Sequence, residues 1–75
     1  MTNRNKAILD LKAIGSRVRS LRGRVRQQKF ALELGLSQGQ LSKVERGKGV
    51  PTLELLLGLS AKFGKSIDWI VRGED

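Results

Sequence analysis

The stretch LGLSQGQLSKVERGKG, residues 34–49, decides the fold because it contains the end of one short helix, a turn and a complete second helix. Gly35 is expected to stop the first run, QQKFALEL, and Ser37 is a good N-cap for the second run, QGQLSKVER, which ends at Gly47. Each run is long enough for about two helical turns. Two short helices joined by a tight turn form a helix-turn-helix pattern.

The residues before this stretch predict one longer helix. Apolar residues recur there at helical spacing, namely Leu11, Ile14, Val18 and Leu21. Asp10 is a good N-cap for this helix, although the apolar stripe also allows a start near Asn5, and Gly23 is a good stop.

The residues after the stretch predict two more helices. Thr52 is placed to cap the apolar run LELLLGLSAKF, which Gly64 closes, and Ser66 is placed to cap the short run IDWIV. No window alternates between apolar and polar residues with a period of two, so no strand is predicted. The sequence therefore predicts a compact all-α domain of five helices.

The composition argues against catalysis. The chain has 75 residues without Cys or His, which removes disulfides, thiolate or imidazole metal sites and the common nucleophilic pairs. The carboxylates are spread over different predicted elements, so no acid-base pair is indicated. We predict that the protein is not an enzyme and has no cofactor, metal or small-molecule site. No run approaches the ~20 apolar residues of a membrane span, and no signal peptide is evident.

The positive charge is concentrated at one end of the chain. Residues 1–30 contain nine Lys or Arg and one acid, Asp10, whereas residues 31–75 contain six residues of each sign. The net charge of +8 therefore arises from the first 30 residues. Such a field favours a polyanionic partner such as nucleic acid, with a basic surface that only aids solubility as the alternative.

The spacing within QGQLSKVER predicts which face of this helix is exposed. If Leu41 and Val44 face the core, Gly39 lies at the centre of the outward face and Glu45 points toward the core. A buried carboxylate needs a cationic partner. The polar residues of the outward face and its flanks are Gln38, Gln40, Ser42, Lys43 and Arg46. These side chains suit DNA, because Gln can bind adenine at two atoms and Lys can reach guanine or phosphate.

Four segments of the chain occur in a characteristic order: IGSRVRSLR, QQKFALELGLSQGQLSKVERGK, VPTLELLLGLSAKFG and SIDWIVRGE. Together they resemble the Cro/lambda-repressor-like, or Xre, family of helix-turn-helix DNA-binding domains. The resemblance implies a five-helix lambda-repressor-like domain over residues 14–75, with the third helix in the major groove. Residues 1–13 would then be an N-terminal extension, either the start of helix one or a mobile basic arm carrying Arg4 and Lys6.

The resemblance also implies roles for particular residues. Gln27 would contact a phosphate and brace Gln38, and Arg22 would pair with Glu45. Arg26 stands where relatives have a capping Ser or Thr. The positions that match base-reading residues of the family, with Ser42 at their border, are Gln38, Gly39, Gln40, Ser42 and Lys43. The basic residues predicted to contact phosphates are Arg17, Arg19, Arg24, Arg26, Lys29, Arg46 and Lys48.

The predicted function is that of a sequence-specific regulator of transcription that binds double-stranded DNA. A repressor that binds a pseudo-palindromic operator as a homodimer is expected, similar to phage Cro proteins or to restriction-modification controllers. Such a protein would be cytoplasmic, bacterial or phage-encoded. The candidate dimer surface consists of Leu59, Phe63, Ile67, Trp69 and Ile70. Alternatively, Trp69 and Ile70 only close the core.

Two other functions compete with this one. An antitoxin could use the same helix-turn-helix to repress its own operon, although only residues 1–13 remain to cover a toxin. Residues 6–29 could instead form a basic amphipathic helix for a membrane or RNA, but they lack the Trp or Phe anchors of a membrane helix and leave the downstream match unexplained.

Overall fold

The computed structural model describes residues 9–74, which fold into five α-helices without a strand. The helices are α1 (Leu11–Arg22), α2 (Gln27–Glu33), α3 (Gln38–Glu45), α4 (Leu53–Phe63) and α5 (Ile67–Arg72). The predicted five-helix all-α architecture is confirmed. The predicted extension lies mostly outside the described residues, including the alternative helix start near Asn5.

The helix starts follow from four side-chain caps. In each case the side chain accepts a hydrogen bond from a backbone N–H three residues later, at 2.9–3.1 Å. The four caps are Asp10, Ser37, Thr52 and Ser66. Arg26 occupies the N-cap position of α2 and makes no side-chain cap. These contacts satisfy N–H groups that a helix leaves without partners, which explains why the helices begin at these residues.

The core forms where the apolar faces of all five helices meet. Its buried members are Ile14, Val18, Phe30, Ala31, Leu41, Val44, Leu55, Leu56, Leu59 and Ile70. Leu41 and Val44 are the buried residues of α3, as the helical spacing predicted. Because these two side chains point inward, the polar residues of α3 are directed to the outside.

Helices α1 and α3 approach each other closely at Gly15. A Cβ atom added to this glycine would lie 2.7 Å from the carbonyl oxygen of Glu45 and closer still to that of Val44. Only a residue without a side chain fits there. Gly15 therefore sets the distance at which α3 is held against α1.

The candidate dimer surface needs a correction. Leu59 and Ile70 are fully buried, so they belong to the core and cannot contact a second molecule. Leu59 follows Leu55 by four residues and therefore shares its buried face of α4. Phe63, with its ring 6.0 Å from that of Phe30, is half-buried, as are Ile67 and Trp69.

Among residues 9–74, no helix combines the length and apolarity that crossing a membrane requires.

Candidate nucleic-acid interface

The outward surface of α3 is polar and accessible. Gln38, Gly39, Gln40 and Lys43 are exposed, and Ser42 at the border is half-buried. Gly39 lies in the first turn of the helix, and a Cβ added to it would have only the Ser37 hydroxyl within 4 Å, at 3.9 Å. The structure therefore places all five predicted base-reading residues on or beside one exposed helix face.

An ion pair joins the end of α1 to the end of α3. The Arg22 guanidinium donates to both carboxylate oxygens of Glu45, at 2.7 and 2.9 Å, and to the carbonyl oxygen of Val25 at 2.8 Å. The two side chains are 15% and 4% exposed, respectively. Hydrogen bonding to Glu45 raises the pKa of Arg22 and outweighs burial, which lowers it. The pair supplies the cationic partner that the inward direction of Glu45 required.

The same carboxylate orients two glutamines. Gln27 Nε2 donates to Glu45 Oε1 at 2.9 Å, and Gln38 Nε2 donates to Gln27 Oε1 at 3.3 Å. An ionised carboxylate can only accept hydrogen bonds, so the Gln27 amide must turn its NH₂ group toward Glu45 and its oxygen toward Gln38. Gln38 must in turn direct its NH₂ group at Gln27. Its Oε1 and one N–H then remain available to a ligand.

Gln40 has a different task in the structure. Its side-chain Oε1 accepts a hydrogen bond from the Ser37 backbone N–H at 2.8 Å, while the Gln40 backbone N–H donates to the Ser37 hydroxyl. This reciprocal arrangement is a capping box. This hydrogen bond holds the Gln40 oxygen toward Ser37, whereas the NH₂ group of Gln40 has no hydrogen bond among residues 9–74.

Ser42 and Arg46 interact with each other at the end of α3. Arg46 Nε lies 3.2 Å from the Ser42 hydroxyl and 3.3 Å from the Ser42 carbonyl oxygen. The guanidinium thus folds back along the exposed side of the helix. Ser42 is engaged by this contact, whereas the terminal nitrogens of Arg46 have no hydrogen bond within the described residues.

Most of the predicted phosphate-binding cations are exposed. Among residues 9–74, the basic side chains that have no carboxylate within 4.0 Å include Arg19, Arg24, Arg26, Lys29, Lys43, Arg46 and Lys48. The described ion pairs use Glu33, Glu45 and Asp68 elsewhere. The positive charge of these side chains is therefore free to attract an anion.

Arg17 differs from these cations, which corrects its predicted role. Its guanidinium is half-buried, donates to the Ile70 carbonyl oxygen at 2.9 Å and lies against Gly73. Cationic side chains stabilise the carbonyl end of a helix. Arg17 therefore ties α1 to the end of α5 and does not belong to the candidate interface.

The cations lie on both sides of the α3 face. Arg26 and Lys29 border an open groove between α2 and α3 that Gln38 also lines. On the other side, the Lys48 N–H donates to the Lys43 carbonyl oxygen at 2.8 Å, so the loop after α3 folds back beside the helix. A basic group on each side of a polar helix face suits the two phosphate strands that border a DNA groove.

Two residues beside α3 were not predicted. The side chain of Lys12 packs against Gly47 in the turn after α3, and its spacing of seven residues from Arg19 would have placed both cations on one side of α1. Val50 lines a cleft with Gln40 and Lys43 and is 64% exposed. No sequence pattern marks Val50, because its position depends on the path of the loop.

The candidate interface contains no visible metal site. Within residues 9–74, no three His, Cys, Asp or Glu side chains are grouped so that they could hold a metal ion.

Five helices with an exposed polar α3 and flanking cations define a DNA-binding regulator of the helix-turn-helix class. The chain belongs to the Helix-turn-helix family, whose model matches residues 18–70. Among solved structures it is similar to the P22 c2 repressor in complex with a synthetic operator, with 32% identity and a TM-score of 0.73 over 81% of this chain and 96% of the repressor chain. It is also similar to the restriction-modification controller protein C.AhdI from Aeromonas hydrophila, with 28% identity and a TM-score of 0.69 over 81% of this chain and 91% of that chain. No curated protein matches the chain significantly.

Proposed function

We propose that the protein represses transcription by binding a pseudo-palindromic operator as a homodimer, with α3 of each copy in the major groove. The observation that carries the proposal is the exposed face of α3, in which Gln38 is oriented by Gln27 and Glu45 and flanked by exposed cations. The P22 c2 repressor, which is similar in structure, was solved in complex with a synthetic operator.

Gln38 is the principal base-reading residue in this proposal. Its free Oε1 and N–H match the N6 donor and N7 acceptor of adenine. Lys43 adds a donor for guanine or a phosphate. Gln40 offers its NH₂ group, because its oxygen already accepts a hydrogen bond from Ser37. The three residues therefore have different reading tasks, although all lie on the same face.

Gly39 permits close approach of the α3 backbone to the groove floor. The space beside it is open, so an alanine there would not disturb the protein itself. The Gly39→Ala variant should fold at least as well as the parent and lose specific binding. Specific binding that survives unchanged would mean that the position is idle.

The phosphate contacts are proposed for the cations that border α3. Arg26 and Lys29 lie on the α2 side, and Arg46 and Lys48 lie on the side of the loop. Gln27 lies at the start of α2 and contacts Gln38. Contacts of this kind fix the position of a protein on the duplex but carry no sequence information directly.

The outer face of α4 is the proposed dimer surface. Leu53 and Leu57 are 65% and 52% exposed, and Ala61 continues the stripe at a spacing of four residues. The three side chains are uncharged, and a second copy of the same stripe would bury them in a twofold interface. This surface replaces the predicted one, because Leu59 and Ile70 of that surface are in the core.

Selection of bound sequences from a random pool of DNA duplexes tests the proposed function. The pool is incubated with the protein at two salt concentrations, and the Gln38→Ala variant serves as the matched control. We expect the parent to enrich a motif with twofold symmetry and the variant to lose preference at one position in each half. Absence of an enriched motif, or preferential binding to single-stranded DNA or RNA competitor, would overturn the proposal.

A further inference from the structure

We propose that Val50 reads the 5-methyl group of a thymine and is therefore a determinant of sequence specificity outside α3. The inference rests on the proposed function, since it assumes that α3 enters the major groove.

The path of the loop brings Val50 to α3. Gly47 adopts a φ of +72°, which turns the chain back at the end of the helix. The Lys48 N–H then donates to the Lys43 carbonyl oxygen at 2.8 Å, and a Cβ added to Gly49 would lie 3.4 Å from the Lys43 Cβ. The loop thus runs beside α3 in the reverse direction. Val50 arrives next to the flank on which Gln40 and Lys43 lie.

Val50 forms one wall of a small apolar cleft at this flank. The cleft has a volume of about 140 Å³, and its lining includes Gln40, Lys43, Val44, Val50 and Leu55. Val44 and Leu55 belong to the core, whereas Val50 is 64% exposed. An apolar floor therefore opens beside an otherwise polar helix face, and a small apolar group could be covered there.

The surroundings favour DNA over a protein segment as the occupant. The thymine methyl is the apolar group that the major groove presents among its donors and acceptors. Lys43 lies at the rim of the cleft, and Lys48 is exposed in the same loop, so the neighbouring charges suit the phosphates on either side of a base. Leu53 and Leu57, which form the proposed dimer surface, do not line the cleft. The two apolar surfaces thus serve different partners.

The polar residues of α3 leave such a role open. Gly39 offers no side chain, and the oxygen of Gln40 is held by Ser37. Neither residue ends in an apolar group that would cover a thymine methyl. Val50 provides that surface at the edge of the same face.

Removing one thymine methyl group at a time from the DNA tests the inference. Once a preferred duplex has been selected, each thymine of one half-site is replaced in turn by deoxyuridine, which lacks only the methyl group. We expect one replacement to weaken binding of the parent about fourfold, the factor for burying one methyl-sized group. For Val50→Ala, deoxyuridine at that position should cause no loss of binding affinity. Deoxyuridine at other positions should weaken binding as much as it does for the parent.

Two further variants make the result specific to Val50. Val50→Thr keeps one γ-methyl group and the shape of the side chain. Deoxyuridine at that position should therefore still weaken binding of this variant, but by less than for the parent. Leu53→Ala removes apolar surface of similar exposure outside the cleft. With this variant, deoxyuridine at that position should weaken binding by the same factor as with the parent, even if dimerisation weakens. Far-ultraviolet circular dichroism verifies that each variant is folded.

The outcomes distinguish this inference from the proposed function. Failure to select any duplex removes the proposed function itself. A selected duplex with no methyl-dependent position, or with a methyl effect that Val50→Ala leaves unchanged, overturns only the role of Val50. A Val50→Ala variant that loses its oligomeric state but keeps the methyl effect would assign the cleft to a protein contact instead.

Discussion

Replacing Gly15 by alanine should destabilise the protein, although alanine is the better helix former. The added Cβ would lie 2.7 Å from the Glu45 carbonyl oxygen and 2.9 Å from its carbonyl carbon, whereas ordinary contact begins at 3.4 Å. Since these are backbone atoms of α3, no side chain can rotate away. Helix α1 must withdraw by more than roughly 0.7 Å, because the Val44 carbonyl oxygen lies closer still, and this movement loosens the packing around Ile14 and Val18.

The expected size of the effect is the difference of two contributions. Alanine in place of glycine within a helix stabilises by about 1 kcal/mol. Overpacking a well-filled contact costs about 1–3 kcal/mol, and contact with two backbone carbonyls places Gly15→Ala near the upper value. The net loss in the free energy of unfolding is about 2 kcal/mol. For a domain of this size that corresponds to a melting temperature lower by roughly 8–16 °C.

Urea unfolding followed by the fluorescence of Trp69, the one tryptophan of the chain, measures this loss. Gly39→Ala is the matched control, because it makes the same change on the open side of α3 and should stabilise by about 0.5 kcal/mol. Equal stabilisation by both substitutions would refute the reasoning, since it would mean that α1 and α3 do not meet closely in solution.

The remaining predictions concern binding, assembly and the ion pair. Gln38→Ala should cost about 1–3 kcal/mol on the preferred duplex and little on random DNA, and equal losses in a titration of both would contradict a base-reading role. Lys48→Ala should weaken binding to all DNA and lower the slope of log affinity against log salt by about one. Leu57→Lys should give monomers in light scattering without removing positive charge, whereas Leu32→Lys, at an exposed position of α2, should leave the assembly of the parent unchanged. Glu45→Gln should lower stability by about 3 kcal/mol in urea unfolding, and a loss below 1 kcal/mol would mean that the buried pair is dispensable.

Features that depend on residues close in sequence could be predicted. The caps at Asp10, Ser37, Thr52 and Ser66 join residues three positions apart, so the starts of four helices follow from short segments. The capping role of Gln40 also had a local signal, the spacing Ser-x-x-Gln, and this signal competes with the interpretation of Gln40 as a base reader.

Features that depend on distant residues could not be predicted in the same way. Arg17 binds the Ile70 carbonyl oxygen, which is 53 positions away, and nothing beside Arg17 in the sequence distinguishes it from a free surface arginine. The run LELLLGLSAKF is apolar at nearly every position, so its periodicity did not show that Leu59 is buried and Leu57 exposed. Residues of other helices therefore determine both the contact of Arg17 and which leucines of α4 are buried.

The ion pair between Arg22 and Glu45 links the stability of the fold to the reading of DNA. A glutamine amide has nearly the same shape in its two orientations, so Gln38 needs a neighbour that distinguishes oxygen from nitrogen. Gln27 has the same ambiguity, and the carboxylate of Glu45 resolves it because it can only accept hydrogen bonds. Arg22 holds that carboxylate in place with two hydrogen bonds. It follows that Glu45→Gln should reduce the preference for the selected duplex more than Gly15→Ala does at an equal folded fraction, because only Glu45→Gln removes the group that orients the two glutamines.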